Sequence, residues 1–285
     1  MLQNKMPYRL HCQIRLNYKE ELIMSNEIRR DYGQAEQPRN PMGVHQPVVF
    51  CIDTSGSMKD KAEDGRTKSQ IVEEMINGIA NMSLSDYDKQ NVDICVLVFD
   101  DEVRTLVDWR PLASFDGGIE LDVAGTTSLG SAVIKAIEKT RERRAVYAQT
   151  GMQCKRAQIF VYTDGVSTES LDDAYALSQE YLNRDKPSAK MYITLIPPAA
   201  DASELKPFGD KVTILRAKDC ANGLPAAFKF MEASVVASSV SALGDTTKIE
   251  IPEDLEPCNR HGADGTFKNE DGKKYVEDTA GDFVW

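Results

Sequence analysis

Soft metal ligands are scarce in this sequence. There are three histidines in 285 residues, at positions 11, 45 and 261, and the six cysteines, at 12, 51, 95, 154, 220 and 258, lie far apart with no C-x-x-C pair. Such spacing argues against a disulfide frame and reads as reduced thiols. Long apolar runs are missing as well. The longest strand-like one, "ICVLVF" from Ile94 to Phe99, has six residues, against the roughly 20 needed to cross a bilayer. A membrane span is therefore excluded. The N-terminus has no apolar h-region followed by a small-residue cleavage site, so the cytoplasm is the expected location. Positive charge is in deficit: 34 Lys and Arg against 45 Asp and Glu leave a net charge of −11. General nucleic-acid binding needs a basic footprint and is not expected; a cationic partner or a bridging metal suits the charge better.

Common catalytic signatures are also lacking. There is no G-x-x-x-x-G-K-[ST], and "GTTSLG" places Ser128 one residue too late for a G-x-S-x-G elbow. His11, His45 and His261 lie outside the expected core and read as surface residues, so a Ser-His-Asp triad is not expected.

What is present is an alternation of short β-branched runs and longer helical patterns from about Pro47 to Ser241, the mark of βαβ units around a parallel sheet. Strands are expected at 47–52, 92–99, 103–109, 157–163, 190–196 and 211–215. Only "DDE" separates the second from the third, so these two form a hairpin and one strand is antiparallel. Apolar residues recurring at three and four predict helices over "TKSQIVEEMINGIANMS" (Ile71, Met75, Ile79, Met82) and "SLGSAVIKAIEKTRERRAVYA" (Val133, Ile134, Ile137, Tyr147). Later helices are expected from "SLDDAYALSQEYLNRD", with Ser170 as its start signal, and from "GLPAAFKFMEASVVASSVSAL". The predicted fold class is α/β, a doubly wound, mostly parallel six-stranded sheet with one antiparallel edge strand.

The expected division is an N-terminal arm over 1–45, a domain over 46–242 and an acidic tail over 243–285. In the arm, residues 31–46 are loop-like, with two prolines. Met24 is an alternative start, because "KEELIMSNE" would be encoded by a purine-rich run ahead of a methionine codon; residues 1–23 would then be a mis-assigned start. The tail holds eleven Asp or Glu against five Lys or Arg, and "TFKNEDGKKYV" within it reads as a small hairpin turning at "NEDG". An EF-hand reading of "FKNEDGKKYVED" fails, since its first ligand position is Phe267. "RERR" at 141–144 reads as a solvated helix face.

Three loops put oxygen ligands where parallel strands end, the edge at which open α/β sheets bind ligands. They are Asp53, Ser55 and Ser57 after the first strand, "AGTTSLG" at 124–130, and "YTDG" with Asp164. The alternate spacing of Asp53, Ser55 and Ser57 lets one extended turn aim all three side chains at a common centre. Two carboxylates and several hydroxyls suit a hard cation, Mg²⁺ or Mn²⁺ first, and suit zinc poorly.

D-x-S-x-S after an apolar strand, a threonine in G-x-T-S-L-G and a later T-D-G together resemble the von Willebrand factor A domain and its metal-ion-dependent adhesion site. The resemblance covers about residues 46–242, and among that family the chain is most similar to bacterial TerY-type proteins of tellurite-resistance clusters, through "CIDTSGSM", "GTTSLGSA" and "FKFMEASVVASSVSALG". The resemblance implies a Rossmann-like fold and a metal (Mg²⁺, or Mn²⁺ or Ca²⁺) held by Asp53, Ser55, Ser57, Thr127 and Asp164. It also implies a protein partner whose Asp or Glu completes the shell, in an adaptor or scaffold of a bacterial stress response, with kinase or phosphatase partners of the same gene cluster. Thr127 rather than Thr126 is selected by its register with "TSLG". The competing reading is a Mg-dependent phosphoester hydrolase using Asp53. It is disfavoured because such enzymes carry D-x-D, and Ser55 stands at the second position.

Overall fold

The computed structural model describes residues 32–165, 167–183, 187–198, 202–209, 211–258, 267–270 and 273–279. The alternative start at Met24, His11, His261 and the aromatic C-terminus lie outside them. Eleven strands are described: β1 (Val44–Asp53), β2 (Val92–Phe99), β3 (Val103–Pro111), β4 (Gln153–Cys154), β5 (Ala157–Thr163), β6 (Ala189–Leu195), β7 (Thr213–Ala217), β8 (Thr246–Glu250), β9 (Leu255–Pro257), β10 (Phe267–Glu270) and β11 (Lys273–Thr279). The helices are α1 (Lys68–Gly78), α2 (Asp86–Asn91), α3 (Leu129–Thr150), α4 (Asp172–Tyr181) and α5 (Cys220–Val240).

The main sheet runs β3-β2-β1-β5-β6-β7-β9, with the two-residue β4 also on β1. β2, β1, β5, β6 and β7 are parallel, and β3 is the antiparallel edge strand that the "DDE" hairpin requires. The six expected strands are all present. At the far edge the sheet is longer than expected, because β9 adds antiparallel to β7.

Parallel strands covered on both sides read as continuous apolar runs, and "VVFCI" of β1 is one: Val48, Phe50 and Ile52 face α1 and α5, while Val49 and Cys51 face α3 and α4. On the first face an aromatic row crosses the sheet. Phe50 stacks on Phe160 at 5.9 Å between ring centroids, Phe160 on Tyr192 at 4.9 Å, and Tyr192 meets the edge of Phe230 at 5.5 Å. This row anchors α5, whose C-terminal carbonyls, those of Ser238, Ser239 and Ser241, accept hydrogen bonds from the buried Lys155 ammonium. A cation there meets the negative end of the helix dipole.

Two sequence readings are corrected. His45, expected on the surface, is fully buried. β1 starts at Val44, ahead of its apolar run, because its polar residues find partners. His45 stacks on Tyr147 at 5.0 Å, and Gln46 donates to the Arg156 carbonyl and accepts from Ser238. The "RERR" run is also not a uniformly solvated face. Arg143 is buried against Asp93 at 2.9 Å and donates to the Glu36 carbonyl, tying α3 to the segment that precedes β1.

That segment lies along the edge strand: the Asp108 N–H donates to Tyr32 O and the Glu36 N–H to Trp109 O. At the other end, β8, β10 and β11 of the acidic segment form a three-stranded sheet, with β10 and β11 paired as the expected hairpin. Its Ile249 and Val276 enter the core beside α5.

Phe160 sits at the middle of the aromatic row, so Phe160→Ala is expected to destabilise the domain by about 3–5 kcal/mol, the range for buried large-to-small changes of this kind. Urea unfolding of the two proteins measures it, and a loss below about 1 kcal/mol would show that the row collapses around the gap.

Candidate metal centre

The strand order reverses at β1, which has β2 on one side and β5 on the other. In doubly wound sheets such a reversal opens a crevice at the carboxyl ends of the strands. β1 ends there in Asp53, held against β2 by the Thr54 N–H donating to Phe99 O at 2.8 Å. Asp53 has no exposed surface. Its Oδ1 accepts the Ser55 N–H at 2.9 Å and its Oδ2 accepts the Thr163 hydroxyl at 2.7 Å, so the carboxylate is folded back over its own turn and fastened to the end of β5.

From Asp53 a chain of oxygens runs outward. The Ser55 and Ser57 hydroxyls are 3.1 Å apart, and Ser57 donates to Asp164 Oδ1 at 2.7 Å. Ser55 precedes a 3-10 turn, Gly56–Lys59, yet its hydroxyl caps none of that turn's N–H groups. It is therefore not a capping serine. The structure thus brings Asp53, Ser55, Ser57 and Asp164 into one hydrogen-bonded set, with Ser57 at the solvent end.

Thr127 reaches the same edge from the loop before α3. It is buried, and a Cβ added at Gly165 would stand 3.0 Å from its Oγ1. A side chain at residue 165 would crowd Thr127, which would have to give by a few tenths of an ångström. The Thr168 N–H donates to Thr127 O at 3.0 Å and fixes the loop. Thr126 points elsewhere: its hydroxyl and N–H both donate to Asp101 Oδ1, at 2.7 and 2.8 Å, and these bonds hold the Asp101 carboxyl below its ordinary range.

Two residues join the set beyond the five expected ligands. Thr163 is the threonine of the T-D-G motif, and its hydroxyl donates to Asp53. Lys68, the first residue of α1, places its ammonium 2.5 Å from Asp164 Oδ2, with its side chain only 3% exposed. The Asp60 carboxylate stands further off, at 3.9 Å.

Burial pushes the Asp53 carboxyl above its ordinary value, and the nearby Asp164 charge adds to this; the hydrogen bonds from Ser55 and Thr163 act in the other direction. Among the described residues no three His, Cys, Asp or Glu side chains gather as a metal site. A cation here would draw on hydroxyls and two carboxylates, a donor set that fits a hard ion such as Mg²⁺. The Lys68 contact shows that Asp164 already faces positive charge. A nucleophilic role for Asp53 fits poorly, since both its oxygens are engaged and neither is exposed. His45 lies at the opposite end of β1, and no helix among the described residues is long and apolar enough to cross a membrane.

Residues 48–166 match the family model of the von Willebrand factor type A domain. No curated protein matches in sequence. Among solved structures, a von Willebrand factor type A protein from Catenulispora acidiphila is 14% identical, with a TM-score of 0.54 over 82% of this chain and 54% of that one. The pilus adhesin SpaC from Lactobacillus rhamnosus GG is 10% identical, with a TM-score of 0.54 over 87% of this chain and 39% of that one. Proximal thread matrix protein 1 from the mussel byssus, described with a zinc-occupied MIDAS motif, is 14% identical, with a TM-score of 0.47 over 68% of this chain and 46% of that one. The chain thus spans about half the length of the solved proteins it matches. The match over residues 48–166 and the sheet order together show the Rossmann-like α/β fold that von Willebrand factor type A domains share.

Proposed function

We propose that the domain is a metal-dependent protein-binding module, an adaptor or scaffold rather than an enzyme. The observation that carries this reading is the hydrogen-bonded set in which Asp53 accepts the Ser55 N–H, the Ser55 and Ser57 hydroxyls pair and Ser57 donates to Asp164, at the carboxyl edge of adjacent parallel strands. Ser55, Ser57 and Thr127 would hold Mg²⁺, or Mn²⁺ or Ca²⁺, directly, and Asp53 and Asp164 directly or through water. When bound, the ion supplies positive charge and an open position for a partner's Asp or Glu, a directed, charge-assisted contact that vanishes with the metal.

The binding unit would span 46–242, flanked by the arm of 1–45 and the acidic segment of 243–285. The TerY-like motifs support a bacterial stress or tellurite-resistance setting, in the cytoplasm, with kinase or phosphatase partners from the same gene cluster. That setting rests on sequence resemblance alone.

A pull-down from the native host tests the reading. Partners recovered by the wild type are expected to be lost with EDTA and lost with Asp53→Ala; equal recovery in all three arms would falsify it. In thermal unfolding, Mg²⁺ is expected to stabilise the wild type and not Asp53→Ala, by about 2.7 kcal/mol when its concentration is 100 times its dissociation constant.

The raised Asp53 carboxyl adds a pH dependence. Because its folded value lies above the unfolded 3.8, its contribution to stability is full below 3.8 and is lost as pH rises through the folded value. In EDTA, Asp53→Asn is therefore expected to gain on the wild type over that interval, while stabilisation of the wild type by Mg²⁺, which requires the ionised carboxylate, grows. A wild-type-minus-variant difference that stays flat with pH would count against a buried, strained carboxylate.

A further inference from the structure

Lys68 has no evident reason to be where it is on helical grounds. It is the first residue of α1, where a cation meets the positive end of the helix dipole. A buried ammonium is also costly unless paired. Yet its backbone is fixed there. Thr67 caps the helix through reciprocal bonds with Gln70, at 2.9 and 3.1 Å, and the Lys68 N–H donates to Asp60 O at 3.0 Å. The side chain then runs to Asp164 Oδ2. Its other ion-pair partner, Asp60, is longer at 3.9 Å and largely exposed, so solvent screens that contact, and Glu63 instead accepts the first N–H groups of α5, those of Cys220 and Ala221, both at 3.1 Å.

Asp164 therefore has two faces. Oδ1 meets the hydroxyl chain through Ser57, and Oδ2 meets the ammonium. Among the buried groups, with both carboxylates ionised, Lys68 offsets one of the two negative charges of Asp53 and Asp164, and a dication would bring the buried positive charges to three against two, with the exposed Asp60 screened by solvent.

The geometry points to Lys68 as a built-in counter-cation, which holds down the site's affinity for a bare divalent ion and leaves the loaded site the surplus positive charge that a partner's carboxylate neutralises. This rests on the metal reading above and adds to it: the ion and the acidic ligand bind cooperatively, because only together do they balance the site. Lys68 is a positioning and charge-setting residue, not a metal ligand.

Mn²⁺ titration followed by electron paramagnetic resonance, with and without acetate as the simplest carboxylate, tests this on the full chain. Lys68→Met removes the charge; Lys68→Gln removes it while retaining a hydrogen-bond donor and serves if the Met variant does not fold; Lys68→Arg keeps it. Circular dichroism and thermal melts verify folding. The neutral variants are expected to bind Mn²⁺ roughly ten- to hundred-fold more tightly than the wild type, the scale of a unit charge acting on a dication a few ångströms away in a partly buried site. Lys68→Arg is expected to stay within about three-fold of the wild type. Acetate is expected to raise Mn²⁺ affinity in the wild type more than in the neutral variants. Neutral variants that bind no tighter, an Arg variant that gains as much as Met, or an acetate effect equal in all chains would each overturn the proposal while leaving the metal reading intact. No Mn²⁺ binding by any chain would remove the metal reading itself.

Discussion

Two carboxylates end adjacent parallel strands inside this domain, and neither has solvent to stabilise its charge. Burying an ionised carboxylate without partners costs several kcal/mol, and placing two together costs more. The local structure answers that constraint residue by residue. Asp53 receives a backbone N–H from its own turn and a hydroxyl from the end of β5. Asp164 receives a hydroxyl from one side and an ammonium from the other. Gly165 leaves the room through which Thr127 draws near. Behind them the paired strands β1, β5 and β6 and the aromatic row across them form the packed floor on which these bonds rest.

Much of this was legible in the sequence because it rests on local pattern. β1, β2, β5 and β6 are buried on both faces and so appear as unbroken apolar runs, and the D-x-S-x-S that follows the first run is too polar to continue it. The α3 stripe at three- and four-residue spacing faces the core as expected. What stayed hidden depends on distant partners. His45 and Gln46 read as loop because nothing in their neighbourhood announces Tyr147 or Ser238. α2 is polar nearly throughout and is started by the Ser85 cap, a short helix without a periodic signal. β9, three residues ending in proline, is too short to register as a strand. Lys68 is the sharpest case. A lysine in a first helical turn is ordinarily solvated, and only the tertiary fold reveals that its side chain runs inward to Asp164.

The sheet order and the match over residues 48–166 agree on the fold of von Willebrand factor type A domains, and the solved structures of that fold share few identical residues with this chain. Shared architecture at that distance speaks to the backbone and not to the ligand. The reading of the site comes from this chain's own oxygens, their separations and the charges that face them.

One further property follows from the flanks of the sheet. The edge strand β3 is met by the segment around Tyr32 and Glu36, and the opposite edge is closed on β7 by β9, which is short and ends in Pro257. Long unpaired strands are templates for fibre-like growth, and among the described residues neither flank offers one. Among the described residues of this main sheet, little backbone is therefore left for a second copy to extend, and contacts made there fall to side chains at loops and helix faces, which an ion can make reversible in a way that strand addition cannot.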